Sequence, residues 1–215
     1  MTDATSGNLV QHLRRLTIFT FAMALLLTML PTTPAQANDE GPRFHAILAQ
    51  VTASTSAYAA ARALSPSDQA LLAKGLLVVR LETKPVPKAT AATSSGKHGL
   101  AAPLAGYCPD SLGWSISGIG QFGEVWRYTL YVSFCWDGYT VNSYSYNRYP
   151  SNMAPFWNFN GDIGLNQSGG SGYSFAYTWT QGSFTLCFPW CGIQNSVPQV
   201  WITVYGSGGY SYGAS

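Results

Sequence analysis

Glu124-Val125-Trp126-Arg127-Tyr128-Thr129-Leu130-Tyr131-Val132-Ser133-Phe134-Cys135-Trp136-Asp137-Gly138 is the stretch that decides the fold. Trp126, Tyr128, Leu130, Val132, Phe134 and Trp136 occupy every second position, with Arg127, Thr129, Tyr131 and Ser133 between them. Successive side chains of a strand point to opposite faces, so this is a strand with one apolar and one mixed face. Asp137-Gly138 follows without a gap, and residues 139–146 alternate again. An Asp-Gly pair between alternating runs signals a two-residue type I′ hairpin, because that turn needs positive φ at both central positions.

Downstream, strands are expected at residues 157–165, 173–180, 183–188 and 199–205. Residues 166–172, Gln181-Gly182 and the corner at Pro189 separate them. About six short strands with Gly-rich turns describe an all-β fold, an antiparallel β-sandwich or barrel. The module covers residues 107–215 and contains all seven tryptophans and all four cysteines.

Upstream the composition changes. Residues 83–106, with Lys84-Pro85-Val86-Pro87-Lys88 and a Ser/Thr/Ala/Gly run, read as a disordered linker. Residues 38–82 are rich in Ala and Leu and read as a short helical segment, with the alternatives of a propeptide or an unfolded stalk. Within it Ser65-Pro66-Ser67-Asp68 is a helix start, and an earlier helix spans 46–64. These helices are too small to hold a core alone, and the module is expected to fold without them. Residues 1–37 form a secretory signal: Arg14-Arg15, an apolar run over 16–30, then Ala35-Gln36-Ala37. A run of about 15 residues falls short of the ~20 that span a bilayer as a helix. The mature chain is thus expected outside the cell, beginning near Asn38, without a membrane span.

Cysteine usage agrees with export. Cys108, Cys135, Cys187 and Cys191 are even in number and confined to the module. Three pairings are open; the short span between Cys187 and Cys191 favours a local bridge, which leaves Cys108 with Cys135.

The module is poor in catalytic groups. Past residue 106 there is no histidine and no lysine, and its only charges are Asp110, Glu124, Arg127, Asp137, Arg148 and Asp162. An imidazole base, a Schiff-base lysine and a His-bearing metal site are excluded within it, and nothing there calls for a cofactor. Asn160-Gly161-Asp162 offers one charged ligand, a poor calcium site. Two arginines against four acids make no phosphate-tracking surface, so nucleic acid is not an expected partner. Glu124 and Asp162 are the carboxylates that could form a glycosidase pair.

If Asp137-Gly138 is a two-residue turn, Phe134 opposes Val141 and Trp126 opposes Tyr149 on the apolar face. Tyr131 then meets Tyr144, Thr129 meets Tyr146, and Arg127 lies across from Arg148. That register makes Tyr131, Tyr144, Tyr146, Arg127 and Arg148 a candidate ligand platform, with rings for stacking and cations that need an acid or an anionic or sugar ligand between them. The competing expectation is that the tyrosines fill a second buried face.

Val125-Trp126-Arg127-Tyr128, Phe134-Cys135-Trp136-Asp137-Gly138, Gly182-Ser183-Phe184-Thr185-Leu186-Cys187 and Cys191-Gly192-Ile193-Gln194 resemble a group of small secreted, Trp- and Gly-rich β-domain proteins of actinobacteria. The resemblance covers about residues 107–215; it implies export and an all-β fold and carries over no activity or site. The leading expectation is a secreted, non-enzymatic module that binds extracellular or cell-wall glycan. The alternatives are a secreted effector or antimicrobial-like protein with an N-terminal pro-segment, and a glycoside hydrolase.

Overall fold

A computed structural model describes residues 39–86, 108 and 111–215. The signal segment 1–37, residues 87–106 of the expected linker, and Asp110 lie outside the described residues. The chain divides into one unit ending at Glu40 and a second, from Gly41 to Ser215, that holds both sheets.

Helices α1 (Glu40–Thr52), α2 (Ala57–Arg62) and α3 (Pro66–Leu76) come first. Ser65 caps α3 by accepting from the Asp68 amide at 3.2 Å, and Pro66 stands where its missing N–H costs nothing. The expected single helix over 46–64 is interrupted: Ser56 caps a new start through the Ala59 amide at 3.3 Å.

Among the described residues nine strands follow: β1 (Arg80–Val86), β2 (Leu112–Gly120), β3 (Gly123–Trp136), β4 (Val141–Ser151), β5 (Trp157–Gly169), β6 (Phe175–Cys187), β7 (Cys191–Ser196), β8 (Gln199–Tyr205) and β9 (Tyr210–Ala214). They form two antiparallel sheets packed as a sandwich. The first has the order β1-β2-β3-β4; the second has β5-β6-β8-β9, with β7 also paired to β6. Between them Trp126, Tyr128, Leu130, Val132 and Phe134 of β3 meet Phe184 and Leu186 of β6 and Val200, Ile202 and Val204 of β8. Trp126 stacks on Phe184 at a centroid distance of 4.7 Å. Both disulfides take the favoured pairing, Cys108–Cys135 and Cys187–Cys191. No helix among the described residues is long and apolar enough to cross a membrane.

Three expectations need correction. The helices do not stand apart as a stalk: Phe44, Ile47, Val51, Leu71, Leu72 and Leu76 belong to the same buried cluster as the sheets. The buried Trp157 indole donates to the Leu76 carbonyl at 2.9 Å, and the Gln194 side-chain amide bonds both the N–H (2.8 Å) and the C=O (3.0 Å) of Val78. The boundary of the linker moves too, because Arg80–Val86 pairs along β2. Pro85 is tolerated there since β1 is a sheet edge, where a missing N–H can face outward. Finally, Gln181-Gly182 is not a turn. Strand β6 runs straight through it and changes partner, from β8 (Gln181 opposite Gln199) to β7 (Phe184 opposite Ser196).

Candidate functional site

The hairpin register differs from the expected one, and with it the platform. Asp137 does not sit inside a two-residue turn. Its carboxylate accepts from the amides of Tyr139 (2.9 Å) and Thr140 (2.7 Å) and from the Thr140 hydroxyl (2.9 Å), closing a loop over residues 137–140. Those bonds hold the carboxyl below the usual aspartate range. Trp136 then pairs with Val141, and a bulge at Asn142 brings Phe134 opposite Tyr144, not Val141. An odd slip exchanges the faces of a strand. Tyr131 therefore lies opposite Asn147, Arg148 opposite Leu130, and Arg127 opposite Ser151.

The five platform residues consequently split between two faces. Arg127 and Tyr131 stay on the outside of the first sheet, where Tyr131 stacks on Tyr149 with centroids 5.9 Å apart. Arg127 is bound to Glu124 at 2.8 Å, so it does not oppose Arg148. Burial pushes the Glu124 carboxyl up, but bonds from Arg127, Asn152 and Ser117 outweigh it and leave the group below its ordinary value. Tyr144, Tyr146 and Arg148 turn inward, toward the second sheet.

There they meet β5 across the open side of the sandwich. Arg148 Nε donates to Asp162 Oδ2 at 2.6 Å, and its guanidinium lies 5.9 Å from the Tyr146 ring centre. The other Asp162 oxygen accepts from the Tyr128 hydroxyl, which also contacts Thr180 Oγ1 at 2.7 Å. Burial and the Asp162 carboxylate push the Tyr128 hydroxyl well above the usual tyrosine range. The Tyr144 hydroxyl reaches Thr178 Oγ1 at 2.5 Å. The acid expected to compensate the hairpin arginine is thus Asp162. It faces inward because β5 bulges at Asn160 and at Ile163. The same bulges separate it from Asn160, whose amide bonds Ser183 and Thr185 on the outer face. The two do not share a strand face.

An open groove of about 480 Å³ lies over this edge, lined by Tyr144, Ser145, Tyr146, Asn147, Arg148, Asp162 and Gln167. Around the rim of β4 a second depression of about 260 Å³ is lined by Ser111, Tyr131, Ser133, Ser145, Tyr146 and Asn147. Ser145, Tyr146 and Asn147 belong to both. Glu124 lines neither of these two and sits with Arg127 on the outer face of the first sheet. Asp162 faces inward, so the two carboxylates weighed as a glycosidase pair lie on different sides of that sheet. At the opposite side of the sandwich an apolar slot of about 190 Å³ runs between Pro85, Leu112 and Trp114 and the β9 tyrosines Tyr210 and Tyr212. Trp114 stacks there on Tyr212 with centroids 3.7 Å apart.

The second sheet carries a feature that strand positions alone do not reveal. Its outward positions form rows: Asn166-Trp179-Trp201-Gly213, Ser168-Tyr177-Thr203-Ser211, and Gly164-Gln181-Gln199. The sequence signal for them is the alternation of Tyr177, Trp179 and Gln181 against Ala176, Thr178 and Thr180, small residues that suit the inner face.

Comparison with known proteins finds no matching family model, no matching curated protein and no matching solved structure.

Proposed function

We propose that the chain is exported and acts outside the cell as a non-catalytic module that holds a glycan or cell-wall polymer in the groove between β4 and β5. The observation that carries this reading is the composition of that groove. A tyrosine ring, a guanidinium–carboxylate pair and Gln167 line one open cleft, with Ser145 and Asn147 on its rim. A few placed polar groups beside an aromatic face are what a saccharide needs: donors and acceptors for its hydroxyls and a flat apolar surface for its C–H face. Openness along a sheet edge suits a chain that passes through.

Export is supported by the basic, apolar and Ala-x-Ala order of residues 14–37 and by the two disulfides. The non-catalytic reading is supported by the separation of Glu124 from Asp162 and by the arginine that each carboxylate holds. Retaining and inverting glycosidases alike need two carboxyl groups flanking one scissile bond. A cleavable pro-segment would have to withdraw Phe44, Leu72 and Leu76 from the core, which speaks against the effector reading.

The test is sedimentation of the mature chain with insoluble peptidoglycan and chitin. Tyr146→Ala should lose most of the retention with a partial fall in melting temperature, because the ring is half-buried and packs against the edge of the core. Gln167→Ala, which leaves that packing in place, should weaken retention with the melting temperature kept. Equal retention of parent and variant, or no retention of the parent, would remove the groove from consideration. Amino-terminal sequencing of secreted protein should begin near Asn38.

A further inference from the structure

We infer that the outer face of the five-stranded sheet is a second binding surface, built for a neutral polysaccharide and independent of the groove. Strands β6, β7, β8 and β9 contain no Asp, Glu, Lys, Arg or His. The fifth, β5, contains Asp162 alone, and that side chain points inward to Tyr128 and Arg148. The outer face is therefore uncharged from edge to edge. Surfaces left to solvent are ordinarily kept soluble by interspersed charges. Here amides and hydroxyls take their place: Asn158, Asn160, Asn166, Gln181 and Gln199, with Ser168, Thr185 and Thr203 between them.

Trp179 and Trp201 stand directly opposite one another in the middle of this face. Neither ring projects. A Cβ on Gly164 would lie 2.6 Å from the Trp179 ring, and one on Gly213 would collide with the Trp201 ring. Each indole is thus laid down over a glycine of the neighbouring strand, and both residues are half-buried. One side of the ring rests on backbone; the other is left facing out. The Trp179 indole N–H donates to Gln199 Oε1 at 3.2 Å, which pins that ring in its plane. Laying a ring over glycine hides it from water more fully than standing it up would, so solubility alone accounts for the absence of projecting rings. It does not account for placing two of the largest apolar side chains on an outward face.

The occupant follows from the chemistry. A nucleic acid or an acidic polymer requires cations, and this face has none. A lipid surface or the core of a protein interface favours contiguous apolar side chains, whereas the indoles are bordered by Asn166, Gln181, Gln199 and Thr203 as well as by the amphipathic ring of Tyr177. A sugar ring presents C–H groups on its faces and hydroxyls around its rim. Flat indoles bordered by Asn, Gln, Ser and Thr match both, and the absence of charge matches a neutral polymer over a uronate or sulfated one.

The test uses the mature chain and affinity electrophoresis in gels containing xylan, mannan, mixed-linkage β-glucan or starch, with polygalacturonate as the anionic control. A cellulose pull-down completes the set. The expected result is retardation or capture by at least one neutral polymer and none by polygalacturonate. It should be weakened at least tenfold in Trp179→Ala/Trp201→Ala and left intact in Tyr146→Ala. Gly213→Ala keeps both indoles but lifts the Trp201 ring; it should weaken retention severalfold and guards against misfolding of the double variant. Failure of every neutral polymer to retain the parent would overturn the inference. So would retention that survives in the tryptophan variants, and retention that Tyr146→Ala abolishes would assign the binding to the groove. A parent that is dimeric in solution and becomes monomeric in Gly213→Ala would instead make this face a self-interface.

Discussion

The two outer faces of the sandwich are built on the same strand geometry and solve the problem of facing water in opposite ways. On the first sheet Arg80, Glu82, Lys84, Glu124 and Arg127 are joined in ion pairs: Arg80–Glu82 at 2.8 Å, Lys84–Glu82 at 3.3 Å and Arg127–Glu124 at 2.8 Å. On the second sheet the outward positions hold indoles, amides and hydroxyls. Ion pairs at a surface contribute little stability, because water and salt screen them. Charge on the first face is thus chiefly a matter of solubility. The lack of it on the second face is a choice about what can lie there.

The comparison presupposes that the two sheets stay together, and the largest expected effect concerns what holds them. Phe44, Val51, Leu72 and Leu76 are at most 3% exposed, and fully burying such a side chain is worth about 1.5–3 kcal/mol. Four of them rival a net stability of about 5–15 kcal/mol for a domain. A chain starting at Val78 should therefore lose its cooperative thermal transition, contrary to the expectation that the module folds alone. A melt as sharp and as high as the parent's would show that the sandwich supports itself.

Next in size is the contrast between a tryptophan inside and one outside. Trp126 is fully buried between Phe184 and Trp157; Trp126→Ala should cost about 3–5 kcal/mol, the range for emptying a large aromatic site in a core. Trp201→Ala leaves a half-buried site open to solvent and should cost less than about half of that. Urea unfolding of the two variants measures the difference. Equal losses would make the outer indoles structural and erase the distinction between the faces.

How much of this is legible in the sequence depends on where the physics is local. The period-two run in β3 and its buried face are readable because strand alternation depends on nothing beyond the strand itself. The pairing of β3 with β4 is not, since it hangs on whether the Asp137 carboxylate captures the amides of Tyr139 and Thr140, a choice between loop lengths that Asp-Gly leaves open. One bulge at Asn142 then moves Tyr144, Tyr146 and Arg148 to the other face. Strand β2 escapes a pattern search because Gly113, Gly118 and Gly120 lower its strand signal; Gly118 is there to make room for the Trp126 ring. Strand β1 escapes because Pro85 and Lys84 have the composition of a linker. The indole face requires the order β5-β6-β8-β9, which no single strand encodes.

A smaller effect separates the faces by pH. Among the groups on the outside of the first sheet, Glu82 and Glu124 have carboxyls held below the ordinary glutamate value in the folded chain. For Glu82 the cause is hydrogen bonding from Arg80 and Lys84. A depressed carboxyl stabilises the fold above its unfolded pKa, and that contribution is lost as pH falls through the folded value. Stability should hold from neutrality to about pH 5 and then decline. Glu82→Gln/Glu124→Gln should lose less on acidification than the parent, with Asp68 and Asp137 accounting for the remainder. Melting temperatures at neutral and acid pH decide this; parallel decline of the two proteins would mean that these ion pairs contribute nothing. No substitution on the second face should alter the acid limb, because that face has no acid.

The smallest expected effect on stability, and the sharpest on the contrast, comes from moving a charge across. Thr203→Lys sets an ammonium beside Trp201 on the second face, and Ser143→Lys sets one on the first. Both positions point away from the core, so each change should alter stability by less than about 1 kcal/mol, the span of strand propensities. Their consequences for binding should diverge. On the first face the added charge joins others and changes nothing. On the second a hydrated ammonium must be stripped of water, or pushed aside, before a neutral polymer can lie over the indoles. Retention of Thr203→Lys on the neutral polymer that holds the parent should fall severalfold, and that of Ser143→Lys should stay as it was. Retention of the parent should also be unchanged between low and high salt, because screening acts only on charges. If salt released the parent, or if both lysine variants bound alike, the uncharged face would owe its composition to something other than a ligand.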